Sequence, residues 1–365
     1  MTKIYLIRHA EAEGNLYRIA QGQDNSILTD RGWRQVSALE KRFADIHIDA
    51  IYASDLYRTC ATASAIYRPK GLTLHRRRDL REICVGVWEQ KTWGEIARMD
   101  EEQLMNFNRH PDRWSVAGAE TPQAVLDRVL AAVREIAAAN EGRTVAVVSH
   151  GYAIRLLLAE LQGYSVAQLA DTPVGDNTAV SLLEGEGEDL HVAFRDDNSH
   201  LQTPEFLAGE KVRKRDNSVE PGLYFEPLRL PEQADFFAGC VSAVWAESGR
   251  EQPFDRARLL ADAERRTTLV GYRGTEPVGL VQLGPENGWI SLACILPEHR
   301  KRGFGVQLLG QAVMWSRGEG GKTLRMAPSG ACAGRSFLQD HGFHPDGQDM
   351  LVKDIGYDPE FLSEL

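Results

Sequence analysis

The chain has 365 residues, of which 43% are hydrophobic and 26% charged, and its formal net charge at pH 7 is −10. One hydrophobic core rarely accommodates this length, so we predict two domains. The negative charge argues against general affinity for nucleic acid or anionic membranes, although a local basic pocket for a small anion is compatible with it. No apolar run is long enough for a membrane span or a signal peptide, and the five scattered cysteines lack metal-ligand spacing. We therefore expect a reduced, cytoplasmic protein without a metal site.

Residues 1–201 alternate strand-like and helix-like runs, which is typical of an α/β layer fold. Continuous apolar character predicts parallel strands, covered on both faces, at 3–7 and 144–149. Thr121 and Pro122 predict the start of an amphipathic helix, as its N-cap and its first-turn proline. A further helix is expected at 152–162, and an antiparallel pair of strands at 177–197.

Residues 202–221 are polar and charged with little periodicity, which predicts a linker between domains at 1–201 and 222–365. We interpret the basic residues of this linker as solvated; they are Lys211, Arg213, Lys214 and Arg215. The second domain is expected to be α/β or α+β. Its predicted elements are a helix at 235–247, strands at 267–273, 277–283 and 289–296, and a helix at 306–316.

Two predicted strands of the first domain end in a histidine, since Arg8 and His9 follow one and His150 follows the other. Ligands of open parallel sheets bind at the carboxyl ends of strands, so these side chains converge if the two strands are neighbours. A neutral imidazole can attack phosphorus, and arginine binds phosphoryl oxygens with two parallel N–H groups. Arg58, which follows an N-cap signal at Ser54, is a second candidate arginine. The alternative is that each histidine only bonds a backbone carbonyl, and spacing alone does not decide between the two.

The motifs of this half resemble the histidine phosphatase superfamily, in its branch of cofactor-dependent phosphoglycerate mutases and broad-specificity phosphatases. Residues 8–11, Arg-His-Ala-Glu, resemble the Arg-His-Gly-Glu signature, with Ala10 in place of the commoner glycine. The other similar segments are QGQDNSILTDRG (21–32), SDLYRTCATA (54–63), LREICVGVWEQKTWGEI (80–96), GAET (118–121), VVSHG (147–151) and DNSHL (197–201). The resemblance implies a phosphoglycerate mutase-like three-layer domain with a mostly parallel sheet.

The same resemblance implies a role for individual residues. His9 would become phosphohistidine, and Glu82 would protonate the leaving oxygen and later help to activate water. Without the resemblance, Glu82 would be interpreted as a surface residue. The groups that would hold the phosphoryl group are Arg8, Arg58, His150, Asn15 and the backbone of Gly151. The reaction would need no cofactor, and its substrate would be a small phosphorylated metabolite.

Hydrolysis and phosphoryl transfer are both known in this superfamily. The mutases carry a longer insertion, rich in basic residues, between the acid and the next helix. The segment that follows Glu82, VGVWEQKTWGEIARMDEEQLMNFN, lacks such a basic stretch. We therefore predict a phosphomonoester hydrolase, with phosphoglycerate mutase-type transfer as the alternative.

A glycine-containing loop stands out in the second domain, between the strand at 289–296 and the helix at 306–316. The loop residues are Arg300, Lys301, Arg302, Gly303, Phe304 and Gly305. Successive backbone N–H groups before a helix can bind a pyrophosphate, although such a run is also found in plain turns. The region from about 222 to 355 resembles a GNAT-superfamily N-acetyltransferase, with this loop at the acetyl-CoA pyrophosphate site and similar segments at 276–283 and 335–343.

That resemblance implies a mixed sheet and acetyl-CoA as cosubstrate or ligand. Leu338 stands where the family has its tyrosine general acid, and Ala331 near its usual asparagine. Leucine cannot protonate a departing thiolate. Two interpretations therefore remain open, an active acetyltransferase fused to the phosphatase or a non-catalytic acyl-CoA-binding module that regulates it. The sequence carries no signal for the oligomeric state.

Overall fold

The computed structural model describes residues 1–187, 189–210, 222–247, 255–331, 334–347 and 349–362. It contains one six-stranded and one seven-stranded sheet. Most of the predicted linker, including the basic residues at 211–215, lies outside the described residues. None of the helices in the described part of the chain combines the length and the apolar character that crossing a membrane requires.

The first half of the chain builds the six-stranded sheet. Its elements are β1 (Thr2–Arg8), α1 (Glu13–Tyr17), α2 (Asp30–Phe43), β2 (Ala50–Ser54), α3 (Tyr57–Lys70), β3 (Leu74–Arg77), α4 (Trp93–Met99), α5 (Glu101–Arg109), α6 (Pro122–Ala139), β4 (Thr144–Ser149), α7 (Gly151–Leu161), β5 (Val180–Glu186), β6 (Asp189–Asp197) and α8 (Pro204–Ala208). The strand order is β3-β2-β4-β1-β5-β6. The pairs from β3 to β1 are parallel, and β5 and β6 are antiparallel to their neighbours. The predicted α/β fold with a mostly parallel sheet is confirmed.

Strand β4 shows why its sequence is apolar without alternation. Val145 and Val147 pack into a core that includes residues of α6 and α7. Ala146 and Val148 pack into a second core with residues of α2 and α3. A strand with helices on both faces of its sheet is buried on both sides, which makes three layers.

Two predicted helix starts have different outcomes. Thr121 is the N-cap of α6, and its hydroxyl accepts the N–H of Ala124 at 3.2 Å, as predicted. The N-cap predicted at Ser54 is wrong, because the N-cap of α3 is Leu56. Ser54 is the last residue of β2, where it remains in parallel register with Arg77, so the chain turns only after it.

The second half builds the seven-stranded sheet. Its elements are β7 (Tyr224–Pro227), α9 (Ala234–Glu247), α10 (Arg256–Ala263), β8 (Thr268–Arg273), β9 (Glu276–Leu283), β10 (Trp289–Ile295), α11 (Phe304–Gly318), β11 (Thr323–Met326), α12 (Gly334–Gln339), β12 (His344–Pro345) and β13 (Leu351–Asp354). The strand order is β12-β13-β11-β10-β9-β8-β7. Strands β10 and β11 pair in parallel and the other neighbours are antiparallel, so the predicted mixed sheet is confirmed.

Candidate active site

The two strands that end in histidine are neighbours. Strand β1 pairs in parallel with β4, and Arg8 stands opposite Ser149. The next residues are therefore adjacent too, and the rings of His9 and His150 have their centroids 5.3 Å apart. The expected convergence at one sheet edge is confirmed.

His9 lines a cavity of about 340 Å³ at the carboxyl end of the sheet, and the buried ring of His150 lies beside that of His9. The polar residues with predicted roles that line it are Arg8, His9, Asn15, Arg58 and Glu82. Its remaining wall is largely apolar and comprises Ile19, Ala20, Ile83, Val85, Trp93, Phe107 and Tyr152, with Arg18, Gly14, Gln21 and Gly22 beside them. This volume suits a small metabolite.

His9 is buried, and the backbone around it fixes its protonation. Its Nδ1 lies 2.7 Å from the carbonyl oxygen of Ala10. A carbonyl only accepts, so Nδ1 carries the proton and Nε2 keeps its lone pair. Burial, and then the charges of Arg58 and Arg8, hold the pKa of His9 well below its ordinary value of 6.5. The ring is thus neutral at physiological pH, which is the form of imidazole that can act as a nucleophile.

The methyl group of Ala10, at the position where the family has glycine, packs into the core beneath the sheet. Ala10 is not among the residues that line the cavity. The substitution therefore leaves the space in front of His9 unchanged.

His150 has the opposite tautomer. The Nε of Arg58 donates to His150 Nδ1 at 3.2 Å, and an arginine can only donate. The proton of the neutral imidazole is therefore on Nε2, which is buried and has no hydrogen-bond partner among the described residues. Burial and the charge of Arg58 lower the pKa of His150 well below 6.5. A buried, unpaired N–H is a donor that a bound anion could satisfy.

Arg58 is fixed by the loop that crosses in front of it. Its two terminal nitrogens donate to the carbonyl oxygens of Gly22 and Asp24, each at 2.8 Å. With the bond to His150, three of its five N–H groups are used within the described part of the chain, and two remain for a ligand. Burial lowers the pKa of Arg58 to about 10, so the guanidinium stays charged at neutral pH.

Arg8 contributes a second guanidinium. One terminal nitrogen donates to the carbonyl of Gly175, and the buried Nε has no hydrogen-bond partner among the described residues. Gly151 makes room for it, because a Cβ at that position would lie 3.1 Å from both Cζ and Nε of Arg8. The glycine at the start of α7 therefore permits the close approach of Arg8.

Asn15 is oriented by its own helix. Its side-chain oxygen accepts the N–H of Ala12 at 3.0 Å, at the N-terminus of α1. Since the oxygen is occupied, the amide NH2 group is the part that Asn15 offers to the cavity it lines.

Glu82 lies against the N-terminus of α7. Its two carboxylate oxygens accept backbone N–H groups of Ile83, Tyr152 and Ala153, each at 3.0 Å. Arg128 fixes the preceding backbone, because it donates to the carbonyl of Glu82 at 2.9 Å and to the carboxylate of Glu120. These bonds hold the carboxyl group at the cavity wall, against the first turn of the helix that follows His150.

The predicted pyrophosphate loop lies at the N-terminus of α11. Lys301 and Gly303 have φ angles of 63° and 77°, and no atom lies within 4 Å of the position of a Cβ on Gly303. Consecutive left-handed and right-handed residues, here Gly303 and Phe304, turn backbone N–H groups to one side. This geometry fits an anionic group.

The side chains of this loop contribute less than the sequence predicts. Phe304 is buried in the core of the second half, so only its backbone is available to a ligand. Arg300 donates to the carbonyl of Ile295 at 2.8 Å and pairs with Glu247. Arg302, in contrast, is exposed.

The two positions at which the acetyltransferase family has polar residues are apolar and buried. Leu338 is fully buried and Ala331 is 4% exposed. Ala331 also forms an isolated parallel β-bridge with Ala293 of β10. This bridge lies beyond the two residue pairs that join β10 to β11. Neither position supplies a proton donor.

No group of His, Cys, Asp and Glu side chains in the described part of the chain is arranged to hold a metal ion. Residues 4–198 match the family model of the histidine phosphatase superfamily (branch 1), over more than half of the chain. The chain belongs to this superfamily. Residues 232–343 match the model of the acetyltransferase (GNAT) family, which confirms the second predicted resemblance over this stretch.

Individual relatives match the histidine phosphatase half. Phosphoserine phosphatase 1 of Hydrogenobacter thermophilus is 30% identical over 186 residues, which cover 51% of this chain and 88% of that protein. A Salmonella choleraesuis protein named Probable phosphoglycerate mutase GpmB is 32% identical over 166 residues, covering 45% of this chain and 76% of that protein. The structure of Bacillus stearothermophilus YhfR is 33% identical, with a TM-score of 0.54, and covers 55% of this chain and 100% of that chain.

Sequence reasoning missed several residues that shape the site of this histidine phosphatase. Glu89 accepts the backbone N–H groups of Gln23 and Asp24 and so orders the loop that binds Arg58. The sequence signal that could have indicated this role of Glu89 is its position three residues after the glycine of a turn. Tyr152, which the sequence does not single out, also lines the cavity. Trp88, Trp93 and Trp114 are candidate pocket residues from the sequence, although aromatic residues at such positions are more often core, and of these three Trp93 lines the cavity.

Trp88 and Trp114 follow that general rule. Both are buried and pack against each other, with ring centroids 5.6 Å apart. They support the cavity wall from behind through Phe107, whose ring contacts both.

Proposed function

We propose that residues 1–201 of this histidine phosphatase hydrolyse phosphomonoesters through a phosphohistidine on His9, and that residues 202–221 link them to a domain at 222–365. The observation that carries the proposal is the pair of opposite tautomers. His9, which lines the cavity, keeps a lone pair on Nε2, and His150, at the adjacent strand end, has a buried, unpaired N–H on Nε2. The unpaired donors of Arg8 and His150 favour an oxyanion as the ligand.

In the first step, the Nε2 lone pair of His9 forms a bond to phosphorus. The ester P–O bond breaks, and its electron pair goes to the leaving oxygen, which takes a proton from Glu82. Arg8, Arg58 and the His150 N–H stabilise the charge on the phosphoryl oxygens. The amide of Asn15 and the backbone of Gly151 are further contacts.

In the second step, water attacks the phosphohistidine. The ionised Glu82 accepts a proton from this water, the P–N bond breaks, and its electron pair returns to His9 Nε2. Inorganic phosphate is released and the starting protonation states are restored. No cofactor or metal enters this balance.

Hydrolysis is favoured over mutase transfer by the cavity wall. Its described lining carries three cations, Arg8, Arg18 and Arg58, and two of these serve the reacting phosphoryl group. The segment after Glu82 contributes Ile83, Val85, Trp93 and Phe107, which give no grip on a second phosphate. The names of the relatives include both a phosphatase and a mutase, so the two reactions are compared directly.

The test is a substrate screen of the full chain over p-nitrophenyl phosphate, phosphoserine, sugar phosphates, phosphoglycerates and nucleotides. We expect release of inorganic phosphate from at least one ester and its loss in His9→Ala. Conversion of one phosphoglycerate isomer into another without phosphate release would instead establish the mutase. A His9→Ala variant as active as the wild type would overturn both.

We further propose that the second domain binds acetyl-CoA through the backbone of residues 301–305. The left-handed Lys301 and Gly303, and the open space above Gly303, support a pyrophosphate site there. When bound, acetyl-CoA would supply a thioester for acyl transfer. Since Leu338 and Ala331 bring no proton donor, the geometry supports binding more than it supports catalysis.

A thermal shift with acetyl-CoA tests this binding. A ligand at about 100 times its Kd stabilises the folded state by ~2.7 kcal/mol. Gly303→Asp should abolish the shift, because its charge repels the pyrophosphate. Gly274→Asp is the matched control, since Gly274 also has a positive φ, of 60°, and open space around its Cβ position. Equal shifts in both variants would refute the assignment of the loop.

A further inference from the structure

Helix α1 belongs to the phosphatase sequence but packs into the core of the second half. Tyr17 is 2% exposed within that core, and Leu16 and Ile19 pack against it. Gly310 of α11 permits this contact, because a Cβ on it would lie 2.6 Å from the Cβ of Tyr17. The two halves therefore share one hydrophobic core at α1.

An ion pair across the two halves fixes the start of the same helix. Arg317, in the last turn of α11, donates to both carboxylate oxygens of Glu13, at 2.6 and 3.1 Å. The Glu13 side chain is 5% exposed and that of Arg317 18%. Arg317 is itself held by a bond to the carbonyl of Ile355 at 2.7 Å and by the ring of Tyr357, 5.0 Å from its guanidinium carbon.

Helix α1 also forms part of the wall of the cavity that His9 lines. Gly14 and Asn15 directly follow Glu13 and line that cavity. Because a bidentate pair has one favoured geometry, and Glu13 is buried and Arg317 partly buried, the Glu13–Arg317 pair fixes the position and rotation of the turn that carries Asn15. Arg317 lies outside the phosphatase sequence and is not among the residues that line the cavity.

A second contact reaches the opposite wall. The hydroxyl of Tyr357 donates to the carbonyl of Asn25 at 3.0 Å. Asn25 closes the loop whose carbonyls at Gly22 and Asp24 hold Arg58. A few residues later, Phe361 is 2% exposed within the first half's core. The second half thus supports both the Asn15 side and the Arg58 side of the cavity.

We propose that Arg317 is a positioning residue for the phosphatase reaction, acting through Glu13 on Asn15, so that the GNAT-like half is a structural part of the phosphatase site. This inference rests on the proposed function of the first half. It does not require acetyl-CoA to be bound.

The test is a double-mutant cycle on the full chain with p-nitrophenyl phosphate. Arg317→Met should raise KM about tenfold and leave kcat nearly unchanged, because a phosphoryl contact shared by ground and transition states is weakened. In an Asn15→Ala background the same change should alter KM less than about twofold, since the contact it acts through is already gone. Arg317→Lys, which keeps the charge but cannot form the bidentate pair, should recover only part of the affinity.

Arg256→Met is the control, because Arg256 pairs with Asp235 on the surface of the same half and is 54% exposed. It should match the wild type. An equal change in KM in both Asn15 backgrounds, or a wild-type KM in Arg317→Met, would overturn the proposal. If Arg317→Met does not fold, Glu13→Gln, which removes the charge of the other partner, takes its place in the cycle.

Calorimetric titration with inorganic phosphate repeats the comparison without turnover. The Kd for phosphate should follow the same pattern across the four proteins of the cycle, the wild type and its three variants. A chain that binds phosphate in this pattern but hydrolyses no ester would refute the proposed function and leave the positioning role supported. Hydrolysis with additive effects of the two substitutions would refute the positioning role alone.

Discussion

Arg58→Lys is the substitution that tests the phosphoryl site most searchingly, because it keeps the charge and removes the geometry. The guanidinium makes three bonds at once, to His150 Nδ1 and to the carbonyls of Gly22 and Asp24. A lysine ammonium is a point charge with three donors on a flexible stem, and it cannot reach these partners and a phosphoryl oxygen together.

The expected loss can be estimated from these bonds. Removing one preorganised donor from a developing oxyanion lowers kcat by about 10²–10³-fold, or ~2.7–4 kcal/mol. Each buried carbonyl left without its donor costs a further ~1–3 kcal/mol of folding free energy. The loss of the donor to His150 Nδ1 also frees that ring to change its tautomer, which would turn a lone pair instead of an N–H toward the phosphoryl group.

Steady-state hydrolysis of p-nitrophenyl phosphate measures the catalytic loss, and ¹⁵N chemical shifts of the His150 ring report its tautomer. Arg113→Lys is the control, since Arg113 is 70% exposed on the surface of the same half. A kcat/KM for Arg58→Lys within about threefold of the wild type would refute the reasoning, because a point charge would then replace the planar group without loss.

Two other changes follow from the same geometry. Glu82→Gln should lower kcat for alkyl phosphates by about 10²–10⁴-fold but affect p-nitrophenyl phosphate much less, because p-nitrophenolate leaves without a proton; equal losses for the two substrates would contradict its role as the acid. The pKa values of His9 and His150 are held well below 6.5, chiefly by burial, so the unfolded chain binds more protons and stability falls as pH drops below 6.5. Between pH 7.0 and 5.5 each of the two histidines should lower the free energy of unfolding by roughly 1.3 kcal/mol, measured by urea denaturation. His150→Gln should reduce the change of this free energy with pH, whereas His191→Gln, at an exposed position, should not. Equal pH dependence in the wild type and both variants would contradict the lowered pKa values.

Much of the first half could be predicted because its signals are local. Strand β4 covers the predicted range, since continuous apolar residues are favoured where both faces of a sheet are covered. Thr121 caps α6 because a hydroxyl beside a first-turn proline satisfies a free backbone N–H. The strand-end histidines meet because parallel neighbours end at the same sheet edge.

The features that could not be predicted depend on contacts between distant segments. Nothing in the five residues of α1 indicates that Glu13 is buried against Arg317, 304 residues away. The N-cap signal at Ser54 failed because pairing of β2 with its neighbours extends the strand through that residue. The tautomers of His9 and His150 likewise depend on one carbonyl and one guanidinium, whose positions follow only from the packed fold.

The central claim is that the phosphoryl group passes through His9. The most direct measurement is mass spectrometry of peptides from enzyme quenched during turnover of p-nitrophenyl phosphate at neutral pH. We expect an acid-labile phosphate on His9 in the wild type and more of it in Glu82→Gln, in which the attack of water is slowed. Turnover with no phosphate on His9 in either protein, or with the phosphate on another residue, would contradict the account.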